Sequence, residues 1–183
     1  MSDLFHRMTD AVLGSEFLPA RIRIRLLRAL GYEIGVTSNI WARACLRSKK
    51  MRIGNNVFIN VGFFFDGFEQ LDIGDNVRVG QFVRVITATH KIGPAEQRCC
   101  VEVVGKPVTI GRGSWIGCSV TLLPGIRIAE GCVIGAGSVV TKSTLKNGLY
   151  IGAPARLIRF LDENDTEESR AELLQSSDAW ISG

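Results

Sequence analysis

The chain has 183 residues, of which 46% are apolar and 22% charged, with 20 glycines, only 5 prolines and a formal charge of +4. That length suits one domain with a sizeable core. The apolar fraction excludes a mainly disordered chain, and no stretch approaches the ~18 apolar residues of a spanning helix.

At the N-terminus, Met1–Gly14 lacks the apolar core of a signal peptide, which points to a cytoplasmic location. Leu18, Ile22, Leu26, Leu27 and Leu30 then form one helical stripe, with Arg21, Arg25 and Arg28 on another face. Pro19 suits the first turn and Gly31 the stop. Residues 1–33 therefore read as a helical cap over the open end of a repeat domain. A peripheral membrane contact through residues 18–30 is the less favoured reading. The basic excess is concentrated here: residues 1–52 hold 10 Lys/Arg against 4 Asp/Glu, and residues 53–159 hold 11 against 7. Such confinement to one end gives no indication of nucleic acid.

From Ile53 onward the period is six. Ile53, Ile59, Phe65; Ile73, Val79, Val85; Ile110, Ile116, Leu122; and Ile128, Ile134, Val140 mark successive starts, with a weaker set at Ile34, Ile40 and Leu46. Gly often comes next, and another small or apolar residue stands four places after the start. Neither a 3.6-residue helix nor a 2-residue strand period fits, and the turns of a β-sandwich recur every 8–12 residues. Six residues make one short strand and a turn. Three such units close a triangular coil, and coils stack at the ~4.8 Å strand spacing.

Two breaks interrupt the period. Phe65 to Ile73 spans 8 residues and Val85 to Ile110 spans 25, both on the third flank of successive coils. They should be stacked neighbours on one side of the prism, and long loops on a rigid scaffold tend to carry function. The second leaves the coil just after His90, giving a protruding loop 91–109 within a repeat domain 34–159. Residues 160–183, with 1 Lys/Arg against 7 Asp/Glu, read as a short acidic C-terminal helix or tail. The five cysteines, Cys45, Cys99, Cys100, Cys118 and Cys132, have no CxxC or zinc-ligand spacing and read as cytosolic thiols.

Several segments resemble the hexapeptide-repeat acetyltransferases: Ile86-Thr87-Ala88-Thr89-His90, Lys106-Pro107-Val108-Thr109-Ile110-Gly111, Trp115-Ile116-Gly117, Leu123-Pro124-Gly125, the run from Gly135 to Lys142, and Gly152-Ala153-Pro154-Ala155-Arg156. The branch is that of galactoside, maltose and nodulation acetyltransferases and of enzymes that O-acetylate bacterial polysaccharides. The resemblance implies an all-β fold, a left-handed parallel β-helix of about five coils with an N-terminal and a short C-terminal helix. It also implies a homotrimer with active sites between subunits and acetyl-coenzyme A as donor. The left hand comes from the family, since strand-crossover physics favours the right.

The same resemblance implies roles for individual residues. His90 matches the catalytic base. An imidazole exchanges its proton near neutral pH, which suits removal of a proton from the hydroxyl (or amine) of a sugar or glycan-related acceptor as it takes the acetyl group. The backbone N–H of Cys118 matches the oxyanion donor. A thiol there also raises a covalent route, disfavoured because no base stands beside it in sequence. Asn60 is either a substitute turn former or a polar residue that positions His90 or the acceptor. Asp66 binds sugar hydroxyls or orients His90. Phe64 and Phe68 are candidate acceptor contacts. Lys142, Arg156 and Arg159 match phosphate-contacting positions, and Ala136 and Thr141 match positions along the cofactor's pantetheine arm and adenine. Trp115 stacks near the thioester or seals the subunit interface.

Three alternatives compete with this reading. A γ-class carbonic anhydrase needs three His ligands, and only His90 lies in the repeats, so no metal is expected. A streptogramin-type antibiotic acetyltransferase would use the same base with a different acceptor from the sugar or glycan expected here. A non-catalytic trimeric scaffold would need neither His90 nor the basic residues.

Overall fold

The computed structural model describes residues 11–161. The expected C-terminal helix or tail lies outside them, apart from its first two residues.

The period-six starts become three apolar columns. Strands β1 (Glu33–Ile34), β4 (Met51–Ile53), β7 (Leu71–Ile73), β12 (Val108–Ile110) and β15 (Arg127–Ile128) form the first face of a prism. The second face stacks β2 (Asn39–Ile40), β5 (Phe58–Ile59), β8 (Arg78–Val79), β13 (Trp115–Ile116) and β16 (Val133–Ile134). The third stacks β3 (Cys45–Leu46), β6 (Phe64–Phe65), β9 (Arg84–Val85), β14 (Thr121–Leu122) and β17 (Val139–Val140). Neighbouring strands pair in parallel, with Ile59 over Ile40 and Phe65 over Leu46. Five coils result, the weak set at Ile34, Ile40 and Leu46 being the first.

The column residues are almost wholly buried, and each large aliphatic side chain withdrawn from water contributes about 1.5–3 kcal/mol. Inward hydroxyls are satisfied: Ser38 Oγ donates to Gly54 O at 2.6 Å and Ser114 Oγ to Ala129 O at 3.0 Å. The second-place glycines serve clearance between coils. A Cβ on Gly80 would stand 2.7 Å from the Cys118 nitrogen, and one on Gly117 would stand 2.7 Å from the Ala136 nitrogen.

The ends of the prism differ from the sequence reading. At the top, β18 (Gly148–Gly152) adds to the second face in parallel, and β19 (Ala155–Phe160) returns antiparallel to it, covering that edge with a hairpin the six-residue period does not announce. At the base, the helix Ala20–Ala29 begins after Pro19 and ends at Gly31, whose φ is +89°. Gly31 N donates to Arg28 O and Tyr32 N to Leu27 O, which satisfies the last carbonyls.

The helix does cap the first coil, but not with the expected stripe. Arg23, Ile24 and Leu27 are the buried residues, while Ile22 and Leu26 face outward. The rotation follows from Arg23, whose guanidinium reaches the carbonyls of Leu13, Ser15, Leu18 and Ile40 and so must point inward.

Candidate functional site

Both breaks leave from the third face, and they do stack. The longer one is an antiparallel hairpin, β10 (Ala88–Ile92) with β11 (Cys99–Gly105). It starts at Ala88 rather than at residue 91. His90 therefore stands on the protrusion and not at the end of a coil, because the pairing with β11 carries the extended backbone outward from Thr87.

The root of the hairpin is tied down by Asp66, in the shorter excursion one coil below. Its carboxylate accepts from Thr87 N at 2.8 Å, from Ala88 N at 3.1 Å and from the Thr87 hydroxyl. Thr87 is fully buried, and its oxygen in turn accepts from Glu69 N at 2.9 Å. Asp66 is thus occupied by the hairpin backbone. Its bonds go to Thr87 and Ala88, at the root of the hairpin that carries His90. Asp66→Ala should strip acceptors from these donors at a cost of about 1–3 kcal/mol each for those left buried. The expected result is faster amide exchange confined to residues 86–107, with the prism unchanged. Unaltered exchange there would remove Asp66 from this role.

His90 itself is exposed in the single chain, and its Nδ1 lies 2.7 Å from the carbonyl oxygen of Cys100. A carbonyl only accepts, so Nδ1 is the donor in this contact, and in the neutral ring Nε2 then holds the lone pair. The Cys100 carbonyl is a positioning group that no sequence pattern marks.

His90 opens on a groove of about 430 Å³ whose walls include Thr89, Val104, Lys106, Pro124 and Thr141. His90 and Thr141, the expected base and an expected donor-binding residue, thus share one cleft at the edge between the third and first faces. Lys106, part of a family motif but given no role by it, is also there. Its stem lies 2.9 Å from where a Cβ on Gly125 would sit, so it packs flat along the groove wall. Lys142 follows Thr141 at the same edge, exposed.

Several of the other expected residues lie on the opposite edge of the third face. Asn60, Gly80, Gly117 and Gly135 form one column there, with Cys118 and Ala136 next to it. Within one chain, Cys118 does not line the groove on which His90 opens. Cys118 is exposed, and its backbone N–H donates to nothing among the described residues. Arg156 pairs opposite Ile151 and joins this edge, whereas Arg159 lies opposite Leu149, toward the far side of the second face.

Asn60 is not a left-handed turn former. Asn60 is not among the positive-φ residues, the nearest of which is Gly62 at φ +75°, and Asn60 Oδ1 accepts from Val61 N at 2.8 Å. Trp115 projects from the second face between Arg78 and Val133. Neither expected aromatic lines the His90 groove. Phe64 stands on the outer side of the third face between Cys45 and Arg84, and Phe68 packs against Gly105 at the foot of the hairpin.

Comparison with known proteins agrees with this architecture. Residues 107–142 match the bacterial transferase hexapeptide (six repeats) family. A maltose O-acetyltransferase from Clostridium difficile 630 superposes with a TM-score of 0.76 at 33% identity, covering 87% of this chain and 86% of that one. The chain belongs to the hexapeptide-repeat acetyltransferases. With that membership comes the left hand of the β-helix. A hexapeptide-repeat acetyltransferase of Vibrio cholerae, solved with acetyl-coenzyme A, gives a TM-score of 0.76 at 28% identity over 86% of each chain. The galactoside O-acetyltransferase of Escherichia coli K12 is 36% identical over 115 residues, 63% of this chain and 56% of that protein. The match spans little more than half the length of such curated relatives, 54% in one and 59% in another.

Proposed function

We propose that this hexapeptide-repeat protein transfers an acetyl group from acetyl-coenzyme A to a hydroxyl of a sugar-type acceptor, with His90 as general base. The observation that carries the reading is the Cys100 carbonyl on Nδ1, which leaves Nε2 free in the groove shared with Thr141. The acceptor hydroxyl gives its proton to Nε2 while its oxygen attacks the thioester carbonyl; the tetrahedral intermediate then collapses with cleavage of the C–S bond, and the departing coenzyme A thiolate takes the proton back from Nε2. The charge that develops on the acetyl oxygen needs a fixed donor, and the uncommitted Cys118 N–H suits it.

Because His90 and Cys118 occupy opposite edges of one face, the site needs two copies of the chain. The His90 edge of one copy against the Cys118 edge of the next is a heterologous contact. With triangular prisms and the third faces turned inward, it closes as a homotrimer. In that ring Lys142 of one copy and Arg156 of its neighbour reach the same junction, where coenzyme A phosphates need cationic donors. Arg159 is the weakest of the three phosphate assignments, and Asn60 reaches the junction from below Gly80.

Calorimetry with coenzyme A tests the donor side. Lys142→Ala and Arg156→Ala should each weaken affinity by roughly tenfold, the scale of one charge-assisted hydrogen bond. Unchanged affinity in either refutes that assignment. Thiol release from acetyl-coenzyme A across glycosides, amino sugars and streptogramins tests the acceptor. Glycoside-dependent release supports the reading, faster release with a streptogramin replaces the acceptor class, and release with none favours a scaffold.

A further inference from the structure

The basal helix has an outward face that the cap does not use. Arg21 and Arg25 sit one turn apart on it, exposed, and neither has an ion-pair partner among the described residues. The arrangement is unfavourable in isolation. Like charges at i and i+4 repel, and the first turn carries no acidic residue to meet the positive end of the helix dipole, while Arg21 lies close to it. Arg28, next on the same flank, spends its guanidinium on the carbonyls of Ile34 and Gly35. An open groove of about 390 Å³ runs between these arginines and the first coil, and no carboxylate among the described residues lines it.

Apolar side chains surround this charge. Phe17 is 98% exposed, Val36 79%, Ile22 45% and Leu26 39%. A pocket for a small soluble anion has no use for such a rim. Arginines interleaved with the exposed Ile22 and Leu26 on the helix, with Phe17 just before it and Val36 on the first coil, match the chemistry of an anionic lipid surface, where phosphates meet the cations and acyl chains receive the apolar groups.

We propose that the basal end of the prism docks on membranes that carry anionic phospholipid. Capping and docking use opposite faces of one helix, and no described helix is long and apolar enough to cross the membrane instead. Avidity rests on the trimeric reading proposed for the active site. A ring of prisms with parallel axes turns all its basal ends to one side, and simultaneous engagement multiplies a weak single contact. The acceptor groove then stands about two coils above the basal one.

Flotation of the full chain with vesicles tests this. It should bind phosphatidylcholine–phosphatidylglycerol vesicles and not phosphatidylcholine alone. Binding should weaken as salt shortens the Debye length from ~30 Å at 0.01 M to ~8 Å at 0.15 M. Each arginine near such a surface is worth about a fivefold factor in partitioning, so Arg21→Gln with Arg25→Gln should lose at least tenfold. Phe17→Ser with Ile22→Ser should weaken binding to the same anionic vesicles. Equal binding to both vesicle types, or full binding by the double arginine variant, overturns the proposal. Displacement from vesicles by millimolar inorganic phosphate would make the groove a soluble-phosphate pocket, and tighter binding to an oligonucleotide would make it a nucleic-acid surface; either overturns it too. Sedimentation velocity on the same samples separates the two readings. A trimer that ignores anionic vesicles sinks docking alone, whereas a monomer with arginine-dependent binding upholds docking and sinks the ring.

Discussion

His90→Ala should lower acetyl transfer by about 10²- to 10⁴-fold, the contribution of a positioned general base, with coenzyme A affinity and sedimentation unchanged. The side chain is exposed and its one polar contact among the described residues is the Cys100 carbonyl, so its removal leaves none of their buried groups without a partner. That is why a loss of rate should come without a loss of fold. Added imidazole should restore part of the rate, since the cavity left behind lies in an open groove. Two outcomes would sink the assignment: a variant that keeps more than a tenth of the parent rate, or one that no longer assembles. The paired measurement matters because Asp66→Ala should also slow transfer. It would do so by loosening the hairpin root, and imidazole would not rescue it.

How much of this is legible in the sequence depends on where contacts lie along the chain. In a solenoid each residue touches the coil above and below at a near-constant separation, so inward positions such as Ile53, Ile73, Ile110 and Ile128 repeat openly. The breaks after Phe65 and Val85 are visible for the same reason, and so is their stacking. The antiparallel pairing of β10 with β11, and of β18 with β19, is not, because it replaces the period with cross-strand partners that leave no repeat. Thr87 reads as an ordinary strand residue until Asp66 and Glu69 are seen to converge on it. Asn60 departs from its turn-former reading because its column demands clearance between coils and not positive φ. The split of His90 and Cys118 between two edges follows from counting flanks, yet it acquires meaning only once a second copy is considered. The helix departs furthest from its pattern. Its apolar stripe implies a buried Ile22 and Leu26, and nothing in the period places an arginine inside.

That arginine carries the second large expectation. Arg23 is 2% exposed, and burial pushes its pKa down, with no carboxylate bonded to it among the described residues. The guanidinium is held instead by carbonyl dipoles: Leu13 O at 2.5 Å, Ser15 O at 2.6 Å, Leu18 O at 2.9 Å and Ile40 O at 3.1 Å. Three of these belong to the segment before the helix and the fourth to the first coil, so one side chain pins the N-terminal segment to the prism. Arg23→Met keeps much of the volume and removes every donor. Some of the freed carbonyls can reach water, so the expected loss is about 2–4 kcal/mol rather than the full sum of their desolvation costs. Arg23→Lys should recover only part of it, because an ammonium is a point donor and cannot spread to carbonyls that a planar fork reaches together. The readout is the denaturant midpoint, with amide exchange rising at Asn39–Ile40 before the upper coils respond. A midpoint unchanged in Arg23→Met would mean that Ile24 and Leu27 hold the cap by burial alone.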